Sequence, residues 1–113
     1  MPYIHVNVSK KLTAEKVEEL RLAIAERMPL LPGKTRDNTM IHIDNDCRLT
    51  MGDAGEPCVF MEARLYQASP EEAKAAFAAQ VSEALVQVLD IPNNRIYMNI
   101  IELEHWASRG AYR

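Results

Sequence analysis

Cysteine is scarce in this sequence: Cys47 and Cys58 are the only two. Two thiols cannot build a multi-bridge disulfide framework, and neither stands at a metal-ligand spacing from His5, His42 or His105. An excess of positive charge is also missing, since 13 Lys and Arg oppose 16 Asp and Glu for a net charge of −3. Chains that bind nucleic acid ordinarily carry a basic stripe, so no nucleic-acid partner is expected. No apolar run approaches the roughly 18–20 residues that span a bilayer, so no membrane partner is expected. Residues 1–5 show neither the basic nor the apolar stretch of a secretory signal. These absences together predict a reduced, cytoplasmic protein.

What is present is ordinary globular composition, 48% apolar and 26% charged over 113 residues, enough for one core and one domain spanning 1–113. Tyr3 to Val8 alternates, with Ile4, Val6 and Val8 on one side and Tyr3, His5 and Asn7 on the other, the period of a half-buried strand. Thr13 suits a helix N-cap, and Val17, Leu20, Ile24 and Met28 then recur at helical spacing over 14–28. Pro29, Pro32 and Gly33 end that helix, and a second strand is expected over 39–44. Residues 45–57, with Gly52, Gly55 and Pro57, read as a surface connection or a small hairpin. A third strand is expected over 58–66. Ser69 is the expected cap of a second helix with Pro70 at its first position, and Phe77, Val81, Leu85 and Val88 form its apolar stripe. A fourth strand is predicted over 95–101, followed by an irregular tail over 102–113.

The second half thus repeats the first. Thr13 and Ser69 stand 56 positions apart, as do Met40 and Ile96, giving repeat halves of about 1–45 and 58–101. Two successive βαβ units imply parallel strand pairs within each unit. The expected fold is α/β (α+β): a four-stranded mixed sheet with two helices on one face. The other face then carries His5, Asn7, Glu62, Arg64, Tyr97 and Asn99, and self-association is the economical way to cover it.

Pro2 follows the initiator Met1 directly. Removal of a methionine before a small second residue would leave proline as a terminal secondary amine. An α-amino group ionises near about 7.7–8.0, and an apolar surrounding lowers that value, making a free base at neutral pH.

Four segments carry a resemblance: Gly33-Lys34 after the first helix, Ile41-His42-Ile43, Glu56-Pro57-Cys58 before the third strand, and Arg95-Ile96-Tyr97-Met98-Asn99. With the Pro2-initiated strand and the duplicated βαβ order, they make nearly the whole chain resemble the tautomerase superfamily. The branch is that of macrophage migration inhibitory factor and its bacterial relatives. The resemblance implies a tautomerase/MIF-like fold, a homotrimer with sites at subunit interfaces, Pro2 as catalytic base, and no cofactor or metal. It implies keto–enol proton transfer on a small α-keto acid such as a phenylpyruvate-like compound. Lys34 would supply positive charge to a carboxylate or enolate oxygen, and Tyr97 and Asn99 would line the pocket, Tyr97 from a neighbouring chain. Tyr66 falls where the family uses a backbone amide near substrate. Trp106, in a tail similar to those of bacterial members, is either a packing anchor or a substrate contact. Arg64 is either a carboxylate ligand or the partner of Glu62 on the same strand face. Two alternatives stand beside the tautomerase: a hydratase, dehalogenase or decarboxylase of the same superfamily, and a trimeric metabolite- or protein-binding module without catalysis. The family's cysteine-pair motif is absent, since Val59, Phe60 and Met61 follow Cys58.

Overall fold

The period-two alternation of Tyr3–Val8 becomes β1, whose Ile4, Val6 and Val8 are fully buried while Tyr3, His5 and Asn7 remain half-exposed. In the computed structural model, which describes residues 2–113, β1 is followed by α1 (Ala14–Arg27), β2 (Met40–Asp44), β3 (Val59–Tyr66), α2 (Glu71–Leu89) and β4 (Ile96–Leu103). Short 3-10 turns at Met28–Leu30, Arg36–Asn38 and Asn93–Arg95 finish the connections. The four strands form one sheet in the order β2-β1-β3-β4. The β1/β2 and β3/β4 pairs are parallel, and β1 and β3 are antiparallel. Each parallel pair is bridged by its own crossover helix, so the two βαβ units meet along a single antiparallel seam.

Register decides which face is buried. Ile4 lies level with Ala63 and Val6 with Met61, while Met61 and Ala63 lie level with Met98 and Ile100. Those side chains point to the same face, where Leu20 and Ile24 of α1 and Phe77, Val81, Leu85 and Leu89 of α2 complete the core. The two helices pack side by side over that face of the sheet. Across the opposite face run Tyr3, His5 and Asn7, then His42, Glu62, Arg64, Tyr97 and Asn99, none of them buried. Among the described residues no helix is long and apolar enough to cross a membrane.

Thr13 is the N-cap of α1, its Oγ1 accepting from the Lys16 amide at 3.1 Å. The start of α2 differs from expectation by one residue. Pro70, not Ser69, occupies the cap position, and its carbonyl accepts the first helical bond from the Lys74 amide at 3.1 Å. The reason is local: the Ser69 amide donates to the Glu102 carboxylate at 2.6 Å, which draws Ser69 out of the helix, and a proline at the cap has no amide to leave unpaired. Asp90 ends α2 in the left-handed region at φ 56° with its amide on the Val86 carbonyl.

Two segments without a periodic signal prove to be ordered. Residues 45–57 make one bridge, Met51 to Ala54, across a turn in which Gly52 has φ +65°. The Arg95 guanidinium, buried behind it, donates to the carbonyls of Glu56 at 2.6 Å, Met51 at 3.1 Å and Pro57 at 3.3 Å. The tail is a hairpin rather than irregular chain: β5 (Ala107–Ser108) pairs with β6 (Ala111–Tyr112). Both turn residues, Arg109 at φ 53° and Gly110 at φ 78°, are left-handed, as a type I′ turn requires.

Phe77 is wholly buried where α2 meets the rest of the core. Phe77→Ala should lower stability by about 3–5 kcal/mol through lost burial and a residual cavity. Urea denaturation should show this as a lower midpoint with unchanged slope.

Candidate active site

Pro2 is placed by the main chain. Buried just ahead of β1, it accepts the Met40 amide on its carbonyl at 3.0 Å, which ties it to the first residue of β2. It opens onto a cleft of about 230 Å³ lined also by Asn38, Met40, Trp106, Ala107 and Ser108. The tail hairpin delivers Trp106 there, because Trp106 and Arg113 exchange main-chain hydrogen bonds at 2.8 and 3.2 Å. Asn38 and Ser108 are shared with an adjoining recess of about 380 Å³ that is lined by Arg109 and Arg113. The Pro2 cleft thus adjoins, across Asn38 and Ser108, a recess bordered by two arginines of the tail hairpin.

Lys34 reaches the same end of the sheet from the other helix end. Gly33 at φ +78° turns the chain after α1, and the Lys34 ammonium donates to the Tyr66 carbonyl at 2.8 Å. Tyr66 is the last residue of β3, and the antiparallel register Tyr3↔Arg64, continued by one residue, sets Pro2 beside Leu65. An ammonium has three donors, so this contact leaves two for a ligand.

The remaining candidates lie elsewhere on the chain. Arg64 donates to Glu62 at 3.1 Å, and its guanidinium carbon stands 5.8 Å from the centre of the Tyr3 ring. Tyr97, 64% exposed, lies level with Phe60, which lies level with Asn7, at the end of β1 away from Pro2. There it lines a separate cavity of about 370 Å³ with Leu49, Met51, Cys58 and Phe60. Asn99 is exposed and level with Glu62. One chain brings Pro2 and Trp106 together, and Lys34 and Tyr66 together, but leaves Tyr97 and Asn99 apart from them.

One cluster was not evident from sequence spacing. The parallel β1/β2 register sets His5 against His42, their rings stacked 4.1 Å apart, and both hydrogen-bond Asp44. The His5 hydrogen bond, aided by the nearby His42, holds the Asp44 carboxyl below the ordinary aspartate range. His5, His42 and Asp44 are the grouping that could hold a metal among the described residues. The signal available in the sequence was two histidines and an aspartate on the outward side of two strands, legible only once their pairing is known.

A family model described as macrophage migration inhibitory factor matches residues 1–110. Among solved structures, Leishmania major MIF2 is 18% identical with a TM-score of 0.90, covering 100% of this chain and 97% of its own. The macrophage migration inhibitory factor homologue from Prochlorococcus marinus is 21% identical with a TM-score of 0.83, and 97% of each chain is covered. A third protein, crystallised after inactivation by 2-oxo-3-pentynoate, is 16% identical with a TM-score of 0.79, covering 89% of this chain and 85% of its own. No curated protein matches the sequence. At these identities the structural likeness establishes the fold.

Behind Lys34, Glu102 accepts from Lys74 at 2.8 Å and from the Ser69 amide at 2.6 Å, and these bonds, Lys74 foremost, hold its carboxyl below the ordinary glutamate range. A carboxyl so depressed adds stability that is complete above the unfolded value of about 4.3 and is lost as pH falls through the folded one. Glu102→Gln should therefore lower stability at neutral pH. It should also flatten the dependence of the denaturation midpoint on pH below about 4.3, measured against the wild-type chain.

Proposed function

The chain belongs to the macrophage migration inhibitory factor family, and from that premise we propose that it is a cofactor-independent tautomerase of small 2-oxo acids. The observation that carries the reading is Pro2, buried at the mouth of a cleft that adjoins the Arg109–Arg113 recess, with Lys34 held on the Tyr66 carbonyl at the same end of the sheet. Once Met1 is removed, the Pro2 nitrogen is a secondary amine. Burial disfavours its cation and leaves it a base at neutral pH. The amine accepts the enol O–H proton and returns a proton to the adjacent carbon, so oxygen becomes carbonyl and no group is gained or lost. Negative charge on oxygen peaks between the two transfers, which is where a preorganised cation contributes most. Lys34 offers its two unused donors to that oxygen or to the substrate carboxylate.

The separation of Tyr97 and Asn99 from Pro2 supports a homotrimer in which a neighbouring chain supplies them to the cleft. The uncovered sheet face supports the same assembly, since exposed Tyr97, Leu103 and Met40 leave apolar surface that a second copy would bury. Trp106 is assigned to the cleft wall and Tyr66 to the carbonyl that steers Lys34. Arg64 is assigned to its pair with Glu62 rather than to substrate.

The similar protein inactivated by 2-oxo-3-pentynoate supports a 2-oxo acid as the substrate class. In that compound a triple bond conjugated to the carbonyl accepts an amine by addition, with the amine proton moving to carbon.

Keto–enol exchange of phenylpyruvate should fall in Pro2→Gly, which keeps a terminal amine but loses the secondary, ring-constrained nitrogen, with an unchanged circular dichroism spectrum. A chain that retains Met1 turns that nitrogen into an amide and should lose more, about 10²–10⁴-fold, and intact mass spectrometry identifies which form is present. Lys34→Ala should lower kcat/KM by about 10²-fold. Incubation with 2-oxo-3-pentynoate should add one inhibitor mass to the peptide carrying Pro2 and none when Met1 is retained. Equal activity in the native and blocked chains would overturn the reading. Light scattering should give a particle three times the 12.8 kDa chain.

A further inference from the structure

Three side chains on the open sheet face take no part in that chemistry. His5 extends from β1, and His42 and Asp44 extend from the adjacent edge strand β2. One ligand atom from each lies within 4.8 Å of the other two. Nε2 of His5 stands 2.8 Å, and Nε2 of His42 3.2 Å, from the same Asp44 Oδ2. We propose that these residues form a site for one divalent first-row transition cation, with the two imidazole nitrogens and the Asp44 carboxylate as its protein ligands.

Three features of the cluster favour a cation over a purely hydrogen-bonded network. Two imidazoles and one carboxylate are the donor set that zinc and its neighbours prefer, whereas magnesium and calcium seek oxygen alone. With metal–nitrogen and metal–oxygen bonds of about 2.0–2.2 Å, tetrahedral donors stand roughly 3.3–3.5 Å apart, so the two histidine-to-Asp44 separations need to open by well under about 1 Å. The Tyr3 hydroxyl lies 2.8 Å from His42 Nδ1. Ligation through Nε2 puts the proton on Nδ1, and the hydroxyl is in place to accept it, the orienting contact that metal-bound histidines commonly show. The His5 and His42 rings lie 5° from parallel at 4.1 Å, so one of them turns out of the stack when both nitrogens converge on the ion.

Access and charge agree with this. The His42 and Asp44 side chains are 49% and 46% exposed, so a hydrated ion can reach them and keep water in its remaining positions. Two neutral imidazoles and one carboxylate leave a charge of −1 for the cation to offset. Arg64, on the same sheet face, is engaged by Glu62 and the Tyr3 ring. All three ligands come from one chain, so the site needs no residue of a second copy and does not depend on the Pro2 chemistry.

Titration of the full-length protein with zinc chloride in a non-chelating buffer should show saturable binding of one Zn²⁺ per chain, with no heat from magnesium chloride. His42→Ala and Asp44→Asn should each weaken it at least tenfold, and Tyr3→Phe by about tenfold, the scale of a lost orienting contact. His105→Ala, which removes the exposed tail histidine, should leave the affinity unchanged. Cobalt chloride should give a visible ligand-field band that disappears in His42→Ala. Asp44→Asn is close to isosteric and keeps the test decisive if the alanine variant does not fold. Absence of saturable Zn²⁺ binding, or unchanged affinity in both His42→Ala and Asp44→Asn, would overturn the proposal while leaving the Pro2 assignment untouched.

Discussion

The antiparallel seam between β1 and β3 is the constraint on which the rest depends. Each βαβ unit can pair its own two strands, but neither can bury its helix without the other. The seam aligns six residues, from Tyr3 opposite Arg64 to Val8 opposite Val59. A slip of one residue there would turn Val59, Met61, Ala63 and Leu65 outward and bring Glu62 and Arg64 into the core. The same register carries Pro2 past the end of Arg64 toward Tyr66, and so toward the Lys34 ammonium. Core and cleft are two outcomes of one alignment.

The seam also gives the chain an approximate twofold symmetry with unequal ends. Pro2 precedes β1 as Cys58 precedes β3, and each residue borders a cavity at its own end of the sheet. At the Pro2 end the tail hairpin adds Trp106 and a guanidinium wall, while the loop over 45–57 covers the Cys58 end. The two βαβ units set these residues at equivalent positions, and the segments outside the units make their surroundings different.

What was legible in the sequence follows from range of interaction. The faces of β1 and β3, the stripe of α2 and the Thr13 cap depend on neighbours a few residues away, and periodicity reports them. Pro70 took the cap position because Ser69 answers to Glu102, more than thirty residues later. The hairpin was obscured because its strands are two residues long and its turn is Arg-Gly rather than the more familiar Asn-Gly. His5, His42 and Asp44 were read separately because nothing in linear spacing announces a parallel pairing. Lys34 and Pro2 were named from resemblance, and their placement at one end of the sheet needed the fold.

Arg95 shows a different kind of dependence. Its fork holds the loop over 45–57 by three main-chain oxygens and no side chains. The loop's shape is therefore nearly indifferent to which residues occupy it, provided the backbone can follow. Side chains along that stretch, including Leu49 and Met51 at the cavity beside Tyr97, are free to drift over generations without loosening the strand that follows. A lysine in place of Arg95 would keep the charge yet lose the fork. The fold thus hangs one wall of that cavity from a single guanidinium, through the backbone alone.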